Sequence, residues 1–165
     1  MAKIYVITGP AGVGKTTVTN HLAERLGKCA VLEGDEIYHH VRGAAKPWAE
    51  GNHLNLMWKN MLSLAENYLD DGIDVIMNYI IYKDKLKLIK DKLSNHEVHF
   101  VCLIAEKETL AARENARGEE FKVNRIDTHV TKFLNQGYKE SQFLKTDNKT
   151  VTQEIEEILT GRFKI

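Results

Sequence analysis

The feature that most constrains this chain is a glycine-rich loop near its N-terminus, GPAGVGKTT at residues 9–17. An apolar, β-branched run, KIYVIT at 3–8, precedes the loop, and residues with helical spacing follow it. Glycines let backbone N–H groups turn inward around an anion, and the first turn of a helix adds partial positive charge. The segment therefore predicts a strand, a phosphate-binding loop and a helix, in that order.

The loop matches the pattern G-x-x-x-x-G-K-[S/T], in which each side chain has its own task. We expect Lys15 to contact the outer phosphates of a nucleotide and the Thr16 hydroxyl to face Mg²⁺. A glycine-rich turn with an exposed lysine is the alternative, and the flanking strand and helix argue against it. The predicted phosphate-loop residues are Gly9, Ala11, Gly12, Val13, Gly14, Lys15, Thr16 and Thr17.

Apolar runs that recur along the rest of the chain are typical of strands buried on both faces. These runs are CAVLE at 29–33, DVIMN at 74–78, VHFVCLI at 98–104 and the weaker SQFLKT at 141–146. Helical stripes lie between them, at 18–26, 54–69 and 86–93, and at 151–159 behind a Thr150 cap with Gln153. The pattern predicts an α/β fold, a doubly wound parallel sheet of about five strands with helices on both faces.

Length, charge and cysteine content limit the possible functions. A chain of 165 residues predicts one domain over 1–165. Its 23 acidic and 23 basic residues balance, which predicts no nucleic-acid or membrane partner, and no apolar run approaches the roughly 20 residues that span a bilayer. Cys29 and Cys102 lie in apolar stretches, so we expect buried thiols and a cytoplasmic location.

Other classes of phosphate-loop protein fit the sequence poorly. A GTPase needs a guanine-reading N-K-x-D, and Asn148-Lys149-Thr150-Val151 lacks the aspartate. A motor ATPase usually carries an acidic residue at the end of a strand, whereas DVIMN ends at Asn78, followed by Tyr79. The segments 34–53 and 113–128 are polar and lack a clear stripe, so we expect movable or substrate-facing structure there.

Together these motifs resemble the small P-loop kinases that phosphorylate hydroxyls of metabolites or antibiotics, the group that contains gluconate kinase and chloramphenicol phosphotransferase. The resemblance covers nearly the whole chain. Its carriers are GPAGVGKTT at 9–17, GD at 34–35, KPW at 46–48 and RENARG at 113–118. It implies ATP and Mg²⁺ as cofactors, a lid at 113–128 and a region that binds the phosphoryl acceptor at 34–60.

The resemblance also implies roles for individual residues. Asp35, after the second strand, would serve as base and lie near Mg²⁺; it could also be an N-cap of the next helix, and the two roles are compatible. Arg113 and Arg117 stand four apart on a helix predicted from about Glu106, which implies that Arg113 stacks on adenine and Arg117 reaches the phosphates. Arg125 would be a further lid arginine. The alternative is a solvated face on which these arginines pair with Glu114, Glu119 and Glu120.

The acceptor pocket is expected to be formed mainly by residues that follow the second strand. Asn78 stands where many relatives have an aspartate, so it adds a hydrogen-bonding amide but no charge. Residues expected to contact the acceptor are Asp35, Tyr38, His39, Arg42, Trp48, Asn78 and, near them, His53. This lining favours a polar molecule with several hydroxyls and a carboxylate for Arg42, and the histidines have no spacing typical of a zinc site.

The sequence thus predicts an ATP-dependent kinase for a small polar molecule, with Lys15, Asp35 and Arg117 as catalytic residues and Thr16 and Asp35 on the metal side. We expect a monomer or homodimer whose partners are ATP and a small-molecule substrate. A nucleoside or nucleotide kinase is one alternative. A non-catalytic ATP-binding regulator is another, because Asn78 replaces a carboxylate.

Overall fold

A parallel β-sheet forms the centre of the computed structural model, which describes residues 1–118 and 126–165. The strands are β1 (Lys3–Thr8), β2 (Cys29–Glu33), β3 (Asp74–Asn78), β4 (Glu97–Ile104) and β5 (Phe143–Lys145). They lie in the order β2-β3-β1-β4-β5, and every neighbouring pair is parallel. Because β1 is central, the loop that follows it opens at the middle of the sheet's carboxyl edge.

Helices cover both faces of this sheet. They are α1 (Lys15–Leu26), α2 (Gly34–His39), α3 (Leu54–Asp70), α4 (Lys83–Lys92), α5 (Lys107–Ala116), α6 (Ile126–Leu134) and α7 (Val151–Leu159), with a short 3₁₀ helix at Glu140–Gln142. Alternate residues of β1 enter two separate apolar cores. Ile4 and Val6 join the core under α3 and α4, whereas Tyr5 and Ile7 join the core under α1 and α7. The doubly wound α/β prediction is confirmed.

Strand positions follow the predicted apolar runs closely, with β4 one residue longer and β5 shorter than predicted. The cap of α7 is also as predicted, since the Gln153 N–H donates to Thr150 Oγ1 at 3.3 Å and the Thr150 N–H donates to Gln153 Oε1 at 2.9 Å. Both bonds satisfy N–H groups that an uncapped helix would leave free.

Both polar segments contain a helix; the sequence allowed the first as an alternative, after Asp35, and did not predict the second. The first, α2, occupies Gly34–His39. The second, α6, begins at Ile126 within the predicted lid and buries Ile126, Val130 and Phe133. These three residues form a stripe with helical spacing, which is visible in the sequence once the polar residues around it are set aside.

Within the described residues, no helix is both long and apolar enough to cross a membrane. The two cysteines are free thiols; Cys102 is buried in β4 and Cys29 is half-buried at the start of β2.

Candidate active site at the carboxyl edge of the sheet

Glycine is required in the phosphate loop by close approaches on two sides. Gly9 has φ +145°, and a Cβ there would lie 2.4 Å from the Leu103 carbonyl oxygen of β4. Gly12 has φ +76°, and a Cβ there would lie 2.9 Å from the Glu114 Cγ of α5. Both positions have left-handed backbone that other residues rarely adopt. The loop is therefore packed between the sheet and α5 with no room for side chains at these points.

Lys15 is the first residue of α1, and its ammonium lies back against the loop. Nζ donates to the carbonyl oxygens of Gly9 and Pro10, at 3.0 Å each. Burial lowers the Lys15 pKa to about 8, although nearby negative charges, Asp35 foremost, oppose this shift. This half-buried cation has more to gain from an anionic ligand than a fully exposed lysine has, because the ligand restores the stabilisation that water supplied.

A cleft of about 350 Å³ opens over this loop, and the predicted phosphate contacts meet there. Its lining residues are Gly12, Gly14, Lys15, Thr16, Thr17 and Arg117. The side chains of Thr16 and Thr17 are exposed in it. The structure thus brings Arg117, which is about 100 residues away in sequence, to the phosphate loop.

A carboxylate that the sequence analysis missed lies at the end of β2. Glu33 is paired in register with Asn78 at the end of β3, and Asn78 Nδ2 donates to Glu33 Oε2 at 2.7 Å. Burial raises the Glu33 pKa, and the hydrogen bond from Asn78 opposes that rise. Polar residues at the ends of two strands could have indicated this contact, because the carboxyl ends of neighbouring parallel strands lie at one edge of the sheet. Asn78 therefore holds the Glu33 carboxylate at the carboxyl edge of the sheet.

Asp35 lies in the first turn of α2, with an exposed side chain. It is not the N-cap of that helix, since Glu33 occupies the cap position, and that alternative is wrong. Its charge raises the pKa of Lys15, so the carboxylate lies within electrostatic reach of the phosphate loop. Gly34, just before it, packs on Tyr79, whose Cδ2 would lie 2.3 Å from a Cβ at Gly34. This contact fixes the backbone that carries Asp35.

The predicted acceptor residues are placed in different environments. Tyr38 is 2% exposed. Its hydroxyl donates to the Ala45 carbonyl and accepts from the His53 N–H, and these two hydrogen bonds stabilise the loop between α2 and α3. His39 and Arg42 are exposed. Trp48 is 77% exposed, with the Lys46 ammonium 5.5 Å from its ring centroid. Tyr38 thus has a structural role here, while His39, Arg42 and Trp48 are accessible.

The two arginines of α5 have different surroundings. Arg113 Nη1 donates to the Val13 carbonyl at 3.2 Å and to Thr146 Oγ1 at 3.1 Å, which links the phosphate loop to the end of β5. Arg117 is the C-cap residue, one turn further on, and its side chain is 54% exposed. The predicted lid also includes Glu119, Glu120 and Arg125, which lie outside the described residues.

The side chains near the loop offer oxygen ligands that suit Mg²⁺. Thr16 has an exposed hydroxyl and Asp35 an exposed carboxylate, and Mg²⁺ in kinases commonly takes few protein ligands in addition to phosphates and water. Among residues 1–118 and 126–165, no three His, Cys, Asp or Glu side chains group closely enough to hold a metal ion by themselves. The donor set therefore fits an ion that arrives with a nucleotide.

Several solved structures have the same fold, and two of the three described here are kinases. A tunicamycin resistance protein of Deinococcus radiodurans has 21% identity and a TM-score of 0.75, covering 97% of this chain and 95% of that one. A gluconokinase of Sinorhizobium meliloti has 20% identity and a TM-score of 0.67, covering 98% and 91%. An APS kinase of Mycobacterium tuberculosis, in complex with AMPPNP and APS, has 16% identity and a TM-score of 0.73, covering 97% and 96%.

Comparison of the sequence with protein families identifies the family of this chain. Curated protein sequences gave no match. A family model described as "AAA domain" matches residues 6–132, which is most of the chain and includes the phosphate loop, the strand-end pair and α5. The fold is that of small P-loop kinases, and the chain belongs to this AAA domain family.

Proposed function

We propose that this protein is an ATP-dependent kinase that transfers the γ-phosphoryl group to a hydroxyl of a small polar molecule. The observation that carries the proposal is the composition of the phosphate-loop cleft. Lys15, Thr16 and Arg117 line it, and the exposed carboxylate of Asp35 stands within electrostatic reach. Phosphoryl transfer requires cations that bind the transferred phosphoryl group and a base that activates the attacking hydroxyl. Both are present at this cleft.

The protein's own groups account for binding and positioning. The loop N–H groups and Lys15 hold the β- and γ-phosphates, and Arg117 offsets the negative charge that develops on the γ-phosphoryl oxygens. Thr16 and Asp35 would hold Mg²⁺, which neutralises phosphate charge when bound. Asp35 accepts the hydroxyl proton as the acceptor oxygen bonds to the γ-phosphorus, while the bond from phosphorus to the bridging oxygen breaks and ADP leaves.

The acceptor is proposed to bind between α2 and α3, within residues 34–60. His39, Arg42 and Trp48 present exposed polar and aromatic groups there, and Asn78 bonds Glu33, which stands two residues before the proposed base in the sequence. Arg42 would bind a carboxylate on the acceptor. The likeness to a gluconokinase and a tunicamycin resistance protein supports a sugar acid or a hydroxylated antibiotic.

A nucleotide acceptor is the second candidate, because the APS kinase structure with the same fold contains APS beside a nucleotide analogue. The single arginine of the acceptor region, Arg42, argues against it, since a nucleoside monophosphate usually calls for more than one. The proposal also includes a lid within 113–128, a cytoplasmic location, a monomer or homodimer, and no nucleic-acid or membrane partner. The balanced charge supports the last of these.

Incubation with ATP, Mg²⁺ and a mixed metabolite panel, analysed by mass spectrometry, separates the candidates. A phosphorylated sugar acid or antibiotic supports the proposal. A phosphorylated nucleoside or nucleotide alone indicates the second candidate, and tight ATP binding without any product indicates a non-catalytic regulator. The matched control is Lys15→Ala, which should form no product while the protein stays folded, because the ammonium contacts the loop and not the apolar cores.

A further inference from the structure

Glu114 is a buried carboxylate beside the phosphate loop, which the sequence did not predict. It lies in α5 and is 1% exposed, so the solvated face that the sequence allowed is wrong for this residue. Its Oε1 lies 3.0 Å from the Cβ position of Gly12, and its Cγ lies 2.9 Å away. The side chain thus fills the space that the glycine leaves open, against the wall of the phosphate cleft.

This carboxylate has a single long hydrogen bond among the described residues. Oε1 accepts from Arg117 Nη1 at 3.3 Å, and Oε2 is buried without a hydrogen-bond partner. A buried carboxylate with so few partners is costly, and removal of its cation would leave an uncompensated charge. Among the described residues, Arg117 is thus the cation that bonds Glu114 directly.

The charge of Glu114 also reaches the phosphate site. It is among the groups that raise the pKa of Lys15, so a phosphate bound by Lys15 would experience it as repulsion. This repulsion opposes phosphate binding unless the charge of Glu114 is neutralised. Arg117 is placed to neutralise it, because it contacts Glu114 and lines the cleft.

We infer that Arg117 binds phosphate partly by cancelling the charge of Glu114, and that Glu114 is a positioning residue that holds the Arg117 guanidinium at the edge of the cleft. The guanidinium has several N–H donors in a planar fork, so it can contact Glu114 on one side and a phosphate oxygen on the other. This inference rests on the proposed ATP site. If Arg117 only contacted phosphate, its loss would weaken binding equally with or without the charge of Glu114. Under the present inference, the loss of affinity depends on that charge.

The test is a double-mutant cycle on AMPPNP affinity, measured by calorimetry with Mg²⁺ at a temperature well below the melting transition. Arg117→Ala should weaken binding by about 100-fold, because it removes a phosphate contact and uncovers a buried carboxylate. Adding Glu114→Gln to that variant should restore at least about 10-fold, because the amide keeps the shape and removes the charge.

A matched control is the exposed pair Arg25 and Glu156, whose side chains lie 3.7 Å apart away from the cleft. Arg25→Ala, with or without Glu156→Gln, should leave AMPPNP affinity unchanged. A double variant at 114 and 117 that binds AMPPNP no more tightly than Arg117→Ala would overturn the inference. Failure of the unmodified protein to bind AMPPNP is a separate result, which would refute the ATP site and with it the inference.

Discussion

ATP binding should be accompanied by proton uptake at Lys15. In the free protein burial lowers the Lys15 pKa to about 8, and among the described residues its ammonium donates to the carbonyl oxygens of Gly9 and Pro10. A bound triphosphate places several negative charges beside Nζ, which favours the protonated form and moves the pKa well above the working pH. Molecules in which Lys15 is neutral must therefore take up a proton when ATP binds.

The size of this uptake follows from the pKa. At a pH near 8, about half of the free protein carries neutral Lys15, so binding should take up about half a proton per ATP. At a pH near 6.5, only about 3% is neutral, and uptake should be close to zero. Above pH 8, apparent ATP affinity should fall, approaching about tenfold per pH unit, because protonation of Lys15 becomes part of the binding equilibrium.

Calorimetric titration with ATP and Mg²⁺, without an acceptor, measures the uptake directly. The observed enthalpy at pH 8 should differ between Tris and HEPES by about half the difference in their ionisation enthalpies, and the difference should vanish at pH 6.5. Equal enthalpies in the two buffers at pH 8 would show that Lys15 is already protonated in the free protein or does not meet the phosphates, and either result refutes this reasoning.

Three further predictions concern the strand ends and the acceptor. Asp35→Asn should retain ATP affinity by calorimetry and lose about 10²-fold or more in kcat, and near-normal turnover would remove Asp35 as the base. Asn78→Asp should lower the free energy of unfolding by about 1–3 kcal/mol at neutral pH, because it sets a second carboxylate against Glu33, and urea melts should show the loss shrinking at acidic pH as a shared proton relieves the repulsion. Arg42→Ala should raise KM about tenfold or more for a carboxylate-bearing acceptor with little change in kcat, and an unaltered KM would exclude Arg42 from the site.

Much of the fold could be predicted because its signals are local. The apolar runs of the strands needed no knowledge of their neighbours, and Thr150 with Gln153 formed the cap that their spacing indicates. The helix α6 was missed because its stripe of Ile126, Val130 and Phe133 lies in a polar segment, where three apolar residues carry little weight against their surroundings. Such a helix gains its stability from packing on the rest of the protein.

The candidate site was predictable where a motif spans consecutive residues and less so where it depends on packing. The phosphate loop could be predicted as a unit, whereas the pairing of Asn78 with Glu33 depends on strand order and register. Glu114 could not be distinguished from a surface acid, since only the approach of α5 to Gly12 buries it. Tyr38 was expected at the acceptor because of its chemistry, yet its hydroxyl bonds the loop after α2.

The central claim is transfer of the γ-phosphoryl group of ATP to an acceptor hydroxyl, and isotope labelling tests this transfer most directly. ATP with ¹⁸O in the three non-bridging γ-oxygens would be incubated with the acceptor that the metabolite panel identifies, with Asp35→Asn as the matched control. The phosphorylated acceptor should keep all three labelled oxygens, and Asp35→Asn should form it about 10²-fold more slowly than the unmodified protein does. Labelled inorganic phosphate alone, or an acceptor that gains no label, would contradict it.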